Sequence, residues 1–149
     1  MVGKLLAGAA LGLLTLAVST QAFAQADVIE KRQAAMKNNS ADAKAIKAAV
    51  EKKDYATVET KAKDIMGTAD KIVGLFPKGS TNGKTKAKPE IWEKSDDFSK
   101  HAKNLNKAAG ELAAAAKSGD EAAVNTKVKA LGEVCNSCHK EFRADKYSE

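Results

Sequence analysis

The sequence predicts an all-α protein, an antiparallel four-helix bundle with one long crossover between its two helical hairpins. Of the 149 residues, 44% are hydrophobic, 30% charged and only 5% aromatic, a balance that favours helix over strand. Four stretches repeat apolar residues every three or four positions, with charged residues on the opposite side. The length suits a single domain, and two cysteines are too few for a disulfide scaffold.

The first 24 residues have the pattern of a secretory signal peptide. Lys4 is their one charge, an apolar run covers residues 5–18, and Ala-Phe-Ala at 22–24 supplies the small-residue cleavage pattern. The alternative is a retained membrane anchor. That run is shorter than the roughly 20 residues that span a bilayer, and no basic stop-transfer cluster follows it. We therefore predict cleavage after Ala24, a periplasmic location, and a mature domain of residues 25–149 without a membrane attachment.

The first hairpin is predicted from about residue 27 to residue 76. Its first helix, about 27–53, repeats apolar residues at seven-residue intervals and leaves Lys, Glu and Asp between them. Its second helix, about 55–76, alternates apolar spacings of four and three from Val58 to Phe76. Asp54 stands between the two helices, where its carboxylate can cap the second. A short turn therefore joins two antiparallel helices.

The second hairpin is built in the same way. Its helices are predicted over about residues 95–117, repeating Phe98 and Leu112, and over about 121–146, with a stripe that ends at Phe142. Gly119 can end the third helix, and Asp120 can cap the fourth. The long connection over residues 77–94 holds both prolines, so it is the natural crossover between the hairpins.

The motif that carries chemistry is Cys-Asn-Ser-Cys-His at residues 135–139, the pattern of a c-type haem attachment site. Cys135, Cys138 and His139 stand at positions i, i+3 and i+4, so their side chains project from one face of the predicted helix. The two thiols can form thioethers with the haem vinyl groups while the imidazole ligates the iron. We therefore predict one covalently bound haem c.

Three other interpretations compete for this motif. A thioredoxin-type dithiol is expected beside a strand–helix junction, and the sequence predicts no strands. A zinc site normally needs four ligands, and His101 is the one histidine outside the motif. A plain disulfide leaves His139 without a role. We expect His101 to be a surface or packed histidine rather than a ligand.

Three sequence segments resemble one known family. They are Arg-Gln-Ala-Ala-Met at 32–36, Pro-Glu-Ile-Trp at 89–92 followed by Phe98, and Cys-Asn-Ser-Cys-His-Lys-Glu-Phe-Arg at 135–143. With the motif on the last of four helices, the mature chain resembles the cytochrome c′ family, the class II c-type cytochromes with their low-spin relatives. The resemblance implies a bundle with one haem near one end, often dimeric through the first two helices.

The resemblance also implies roles for individual residues. His139 is then the proximal ligand, and Arg32 matches the arginine that approaches a haem propionate. Arg143 matches the basic residue beside the proximal face, although a solvated surface charge is an equal alternative. Phe98 and Trp92 are expected to pack around the crossover and the haem edge.

Met36 matches the residue that faces the open side of the iron. In cytochrome c′ proper that residue blocks the site without binding, and the iron can take NO or CO. In the low-spin relatives a methionine ligates there, which favours the ferrous state and single-electron transfer. Methionine can also fill a core without binding metal. We favour ligation by Met36, because few side chains at this position could ligate at all.

The remaining expectations concern partners. Lys78, Lys84, Lys86 and Lys88 make the crossover basic, which is typical of a solvated loop and could also steer an acidic redox partner. The net charge of +6 could suggest nucleic acid, but export and the even spread of acidic residues argue against it. A homodimer is possible on sequence grounds. No nucleophile triad, phosphate loop or carboxylate pair is evident, so we predict that the protein is not an enzyme.

Overall fold

The computed structural model describes residues 15–81 and 83–147. Its helices are α1 (Thr15–Glu51), α2 (Tyr55–Ile72), the short α3 (Glu90–Glu93), α4 (Ser95–Ser118) and α5 (Glu121–Phe142). A 3-10 turn, Val73–Leu75, prolongs α2. The four long helices form the predicted all-α bundle. Among the described residues, the isolated bridge between Ala87 and Arg143 is the only β-type pairing.

Several helix boundaries differ from those predicted. Helix α5 ends at Phe142 rather than near residue 146, because Arg143 is extended and pairs with Ala87 of the crossover. The short helix α3 was not predicted and begins immediately after Pro89, a favoured first residue for a helix. Helix α1 begins at Thr15, inside the predicted signal peptide, whose residues 1–14 lie outside the described residues. Cleavage after Ala24 stays a prediction.

The long helices run antiparallel in chain order. Lys61 of α2 lies 3.1 Å from Asp42 of α1, and Asn106 of α4 donates to Asp70 of α2 at 2.7 Å. Helix α5 then returns along α4. In contrast, α1 and α5 scarcely touch each other, which leaves a gap along that side of the bundle. No helix within the described ranges is long and apolar enough to cross a membrane.

The two short connections are capped as predicted. The Asp54 carboxylate accepts hydrogen bonds from the Thr57 amide at 3.1 Å and from the Thr57 hydroxyl at 2.6 Å. Asp120 accepts from the Ala123 amide at 3.0 Å. Gly119 ends α4 in the left-handed conformation, with φ of 72°, which glycine adopts without strain.

The interior divides into two clusters at opposite ends of the bundle. The closed end is an aliphatic cluster of α1, α2, α4 and α5 that includes Ile46, Val58, Ile65, Leu112 and Val124. The cavity end is an aromatic cluster formed by Ile91, Phe98 and Phe142, with Phe76, Ala87, Trp92 and Cys138 packed against them. The crossover joins the second of these clusters, so it covers the end of the bundle that carries the sequence motif.

Candidate functional site

A cavity of about 310 Å³ opens in the gap between α1 and α5. Every site residue predicted from the sequence lines this cavity: Arg32, Met36, Phe98, Cys135, Cys138, His139 and Arg143. They come from three helices and the start of the C-terminal tail, and the longest separation exceeds a hundred residues. The structure therefore brings all of them to one place.

Helix α5 supplies the sulfur-bearing wall. Cys135 and Cys138 are free thiols, each partly buried, one helical turn apart. Burial raises the pKa of the Cys135 thiol, and it raises the pKa of Cys138 to about 11, with the nearby Cys135 and Glu141 adding to the shift. Reactive redox cysteines show the opposite shift, toward the thiolate. The arrangement therefore does not resemble a thioredoxin-type site.

His139 lies on the same wall and opens into the cavity. The residue stays solvent-exposed on one side, yet partial burial lowers the pKa of its imidazole, and the positive charge of Arg143 lowers it further. Neutral imidazole carries the free nitrogen lone pair that binds a metal. Within residues 15–81 and 83–147, no group of three or more His, Cys, Asp or Glu side chains is placed to hold a metal ion. The zinc interpretation therefore has no support in this part of the chain.

Helix α1 supplies the facing wall. Met36 is partly buried and lines the cavity together with Gln33, Asn39 and Ser40. The Asn39 side-chain oxygen is buried without a hydrogen-bond partner within the described structure. A buried polar atom without a partner calls for an explanation such as strain, a functional role, or a water or ion that completes the site. The cavity is thus incomplete as a protein interior.

Arg32 anchors the crossover above the cavity. Its side chain is 2% exposed, and its guanidinium donates to the Ser80 hydroxyl at 3.1 Å, the Ser80 carbonyl at 3.0 Å and the Thr85 hydroxyl at 2.8 Å. The guanidinium also lies over the rings of Phe76 and Trp92, at 4.9 and 5.9 Å from their centres. Burial lowers the pKa of Arg32, yet a guanidinium keeps its charge in proteins. A buried cation thus stands at the edge of the cavity.

Aromatic side chains complete the walls. Phe98 meets Phe76 and Phe142 edge-on, with ring centres 4.9 and 5.3 Å apart, so it packs at the crossover as expected. The Trp92 indole donates to the carbonyls of Phe76 and Pro77. His101 packs its ring against Phe142 rather than pointing away into solvent, which agrees with a packed histidine. These contacts give a rigid apolar boundary to the cavity.

Sequence reasoning missed several residues in and around the site. Asn39 lies one helical turn beyond Met36, so the same helical spacing that identified Met36 could have identified it. Ser80 and Thr85, the partners of Arg32, had no such signal, because they lie 48 and 53 residues away in an irregular segment.

The residues around this cavity suit a haem. Two thiols and the His139 imidazole lie on one wall and a thioether on the facing one; aromatic and aliphatic side chains make up much of the remainder, with polar groups such as Asn39 and His101 among them and a buried guanidinium at the edge. These are the side-chain types that hold a c-type haem by its vinyl groups, iron and carboxylates. Fold and site together define a four-helix-bundle haem protein.

Comparisons with known proteins also indicate a haem-binding four-helix bundle. The family model described as Cytochrome C′ matches residues 27–143. Cytochrome c′ of Rhodospirillum rubrum is 38% identical over 141 residues, which cover 92% of this chain and 95% of that protein. The crystal structure of cytochrome c′ from Thermochromatium tepidum is 32% identical with a TM-score of 0.75, covering 81% of this chain and 97% of that one. A cytochrome c′ with an unusual ligand-controlled dimer dissociation matches with the same values. The chain belongs to the cytochrome c′ family, whose members bind haem c.

Proposed function

We propose that this protein is a periplasmic c-type cytochrome that transfers single electrons without turning over a substrate. Cys135 and Cys138 would hold one haem through thioethers, and His139 and Met36 would ligate its iron. When bound, the haem supplies an iron that gains and loses one electron. The observation that carries this proposal is that Met36 of α1 and His139 of α5 line the same cavity.

The protein's own residues set the properties of this site. As ligands of a bound haem iron, the thioether of Met36 and the imidazole of His139 would together favour its reduced state. Rigid aromatic walls exclude water and hold the geometry constant, which keeps the cost of reorganisation low during electron transfer. The buried cation of Arg32 offsets negative charge at the cavity edge, where we place the propionates.

A gas-binding function is the second candidate. Met36 is only partly buried, and methionine is flexible enough to stand beside an open coordination position without occupying it. In that case the site takes a small diatomic such as NO or CO. The similar cytochrome c′ with ligand-controlled dimer dissociation supports this candidate, and with it a homodimer.

An optical spectrum separates the two candidates. We expect sharp α and β bands in the reduced protein and no change when CO is added. Met36→Ala should convert this to a broad spectrum that shifts with CO. Met66→Ala is the matched control, because Met66 packs against the closed end and lies outside the cavity lining. A wild-type spectrum that is already broad and responds to CO would reject electron transfer in favour of gas binding.

Covalent haem attachment and export of the protein are each tested by a separate measurement. Haem should remain with the wild-type protein after acid–acetone extraction, and should be released from a Cys135→Ala, Cys138→Ala double variant. Amino-terminal sequencing of protein from a periplasmic fraction should begin at Gln25. An intact leader in that fraction would contradict cleavage after Ala24.

A further inference from the structure

A strongly basic surface borders the cavity. We define the basic rim as crossover residues 84–88 together with residues 140–147 at the end of α5. These 13 residues carry two acidic and six basic side chains: Lys84, Lys86, Lys88, Lys140, Arg143 and Lys146. Four of the six net positive charges of the whole chain are thus concentrated here.

Backbone pairing joins the two segments into one surface. The Ala144 amide donates to the Lys86 carbonyl at 2.8 Å, and the Lys88 amide donates to the Phe142 carbonyl at 3.0 Å. The Lys88 ammonium also reaches the carbonyls of residues 140 and 141, which are the last turn of α5. The charges are therefore held in position by main chain rather than carried on independent loops.

The rim is distinguished by the density of its basic side chains, none of which has a close ion pair among the described residues. Outside the rim, seven described lysines lie within 4 Å of a carboxylate, as Lys61 does with Asp42 and Asp64, and the other ten do not. None of the six basic side chains of the rim lies within 4 Å of a carboxylate of the described residues. Glu141, which lies within the rim, is instead 3.3 Å from Lys94 and 3.4 Å from His101. The positive field of the rim is therefore left uncancelled at close range.

We propose that the basic rim is the docking surface for an acidic redox protein, and this proposal rests on the electron-transfer function above. Lys86 and Arg143 belong to the rim and also line the cavity, so a partner bound here lies against the edge of the haem site. Carboxylates around the partner's own redox centre would speed the encounter and orient the two proteins.

A protein fits this surface better than a lipid bilayer does. Helices that bind membrane surfaces insert an apolar face beside their basic residues. Tyr147 is the one large exposed apolar side chain of the described rim, and the ammonium groups of Lys86 and Lys84 lie 4.8 and 5.5 Å from its ring centre. The rim thus offers charge without an apolar face to insert.

The test uses charge reversal at the rim and, as a matched control, at the closed end. The rim variant is Lys84→Glu, Lys140→Glu, and the control is Lys52→Glu, Lys117→Glu, which changes net charge equally. Oxidation by ferricyanide moves one electron from the reduced protein to this anion, which mimics an acidic partner. At low salt we expect the rim variant to react about tenfold more slowly than wild type, and the control to stay within about twofold.

A second readout does not depend on the haem. On a carboxymethyl column the rim variant should elute at lower salt than the control of identical net charge, because the column binds the most basic face. Equal elution and equal ferricyanide rates for the two variants would overturn the proposal, since net charge alone would then explain the behaviour.

Two further outcomes separate the remaining possibilities. If wild-type protein exchanges no electrons with ferricyanide or with cationic tris(phenanthroline)cobalt(III), the electron-transfer function itself fails. If it reacts with both, and added salt changes both rates alike, only the docking surface fails. The rim would instead be a membrane-binding surface if two results came together. Wild-type protein would co-sediment with phosphatidylglycerol–phosphatidylcholine vesicles while the rim variant would not, and the two proteins would react with ferricyanide at the same rate.

Discussion

The closed end and the cavity end of this bundle fill their interiors in different ways. At the closed end, Val58, Leu112 and Val124 are completely buried among aliphatic neighbours, and Asp54 and Asp120 cap the adjoining helices. At the cavity end, edge-on aromatic rings surround an open volume, and Lys94, the residue before α4, makes no side-chain capping hydrogen bond. The closed end is a close-packed protein core, whereas the cavity end is a set of side chains arranged around an open volume.

This difference teaches where the stability of the fold resides. Close-packed aliphatic side chains bury apolar surface without help from any ligand. A cavity lined by apolar groups forgoes such contacts until something fills it. We therefore expect the closed end to hold the helices together in the absence of haem, and the cavity end to gain most of its packing when haem is bound.

The largest expected effect compares the same substitution at two positions of α4, Leu112 inside the closed end and Leu105 in the cavity wall. Leu112→Ala leaves a new hole in the closed end and should lower the free energy of unfolding by about 2–5 kcal/mol. Leu105 is half-buried and packs against the closed end, but it also lines the cavity, so Leu105→Ala partly enlarges a space that already exists and should cost less in the haem-free protein. Urea unfolding followed by circular dichroism measures both. Equal losses would show that the two ends are packed alike.

Arg32→Ala tests how the cavity end is closed. It removes three hydrogen bonds that hold the crossover, so we expect a loss of about 2 kcal/mol, together with faster amide exchange over residues 85–88. Lys31→Ala is the control, since its ion pair with Asp27 is largely exposed and contributes little. Unchanged exchange in the Arg32 variant would mean that other contacts hold the crossover.

Asp54→Ala tests whether the charged Asp54 cap of α2 stabilises the closed end, by the pH dependence of thermal stability. Hydrogen bonds from Thr57 lower the pKa of the Asp54 carboxyl in the folded protein. The carboxylate therefore stabilises the fold above its unfolded-state pKa, and this contribution is lost as pH falls through the lower folded-state value. Thermal unfolding should show wild type above the variant at pH 7, with the gap narrowing in acid. A gap independent of pH would reject the charged cap, and Asp54→Asn should reduce the pH dependence.

The smallest effect comes from two helical glycines. Nothing lies within 4 Å of a Cβ added at Gly132, so Gly132→Ala should stabilise α5 by about 0.5–1 kcal/mol. At Gly110 the added atom would approach the Met66 sulfur at 3.2 Å, beside the closed end. Gly110→Ala should therefore gain less, because Met66 must shift. An equal gain at both sites would show that the packing there is looser than the structure indicates.

Much of the site could be predicted because it depends on local geometry. The spacing of Cys135, Cys138 and His139 places them on one helical face wherever that helix packs, and Asp54 and Asp120 cap the residues that follow them. The end of α5 could not be predicted in this way, since Phe142 is its last residue only because the crossover pairs with Arg143.

Residue order was thus enough to establish four amphipathic helices, their antiparallel hairpins and the attachment motif, because helical period and capping act within a few residues. The position of the cavity and the end of α5 depend instead on packing between residues far apart in the chain. Met36 and His139 lie on the same cavity because α1 and α5 leave a gap between them. The buried Arg32 side chain, hydrogen-bonded to Ser80 and Thr85, holds the crossover over the cavity end of the bundle. Those contacts join residues far apart in the chain, and their positions follow from how the closed end aligns the helices.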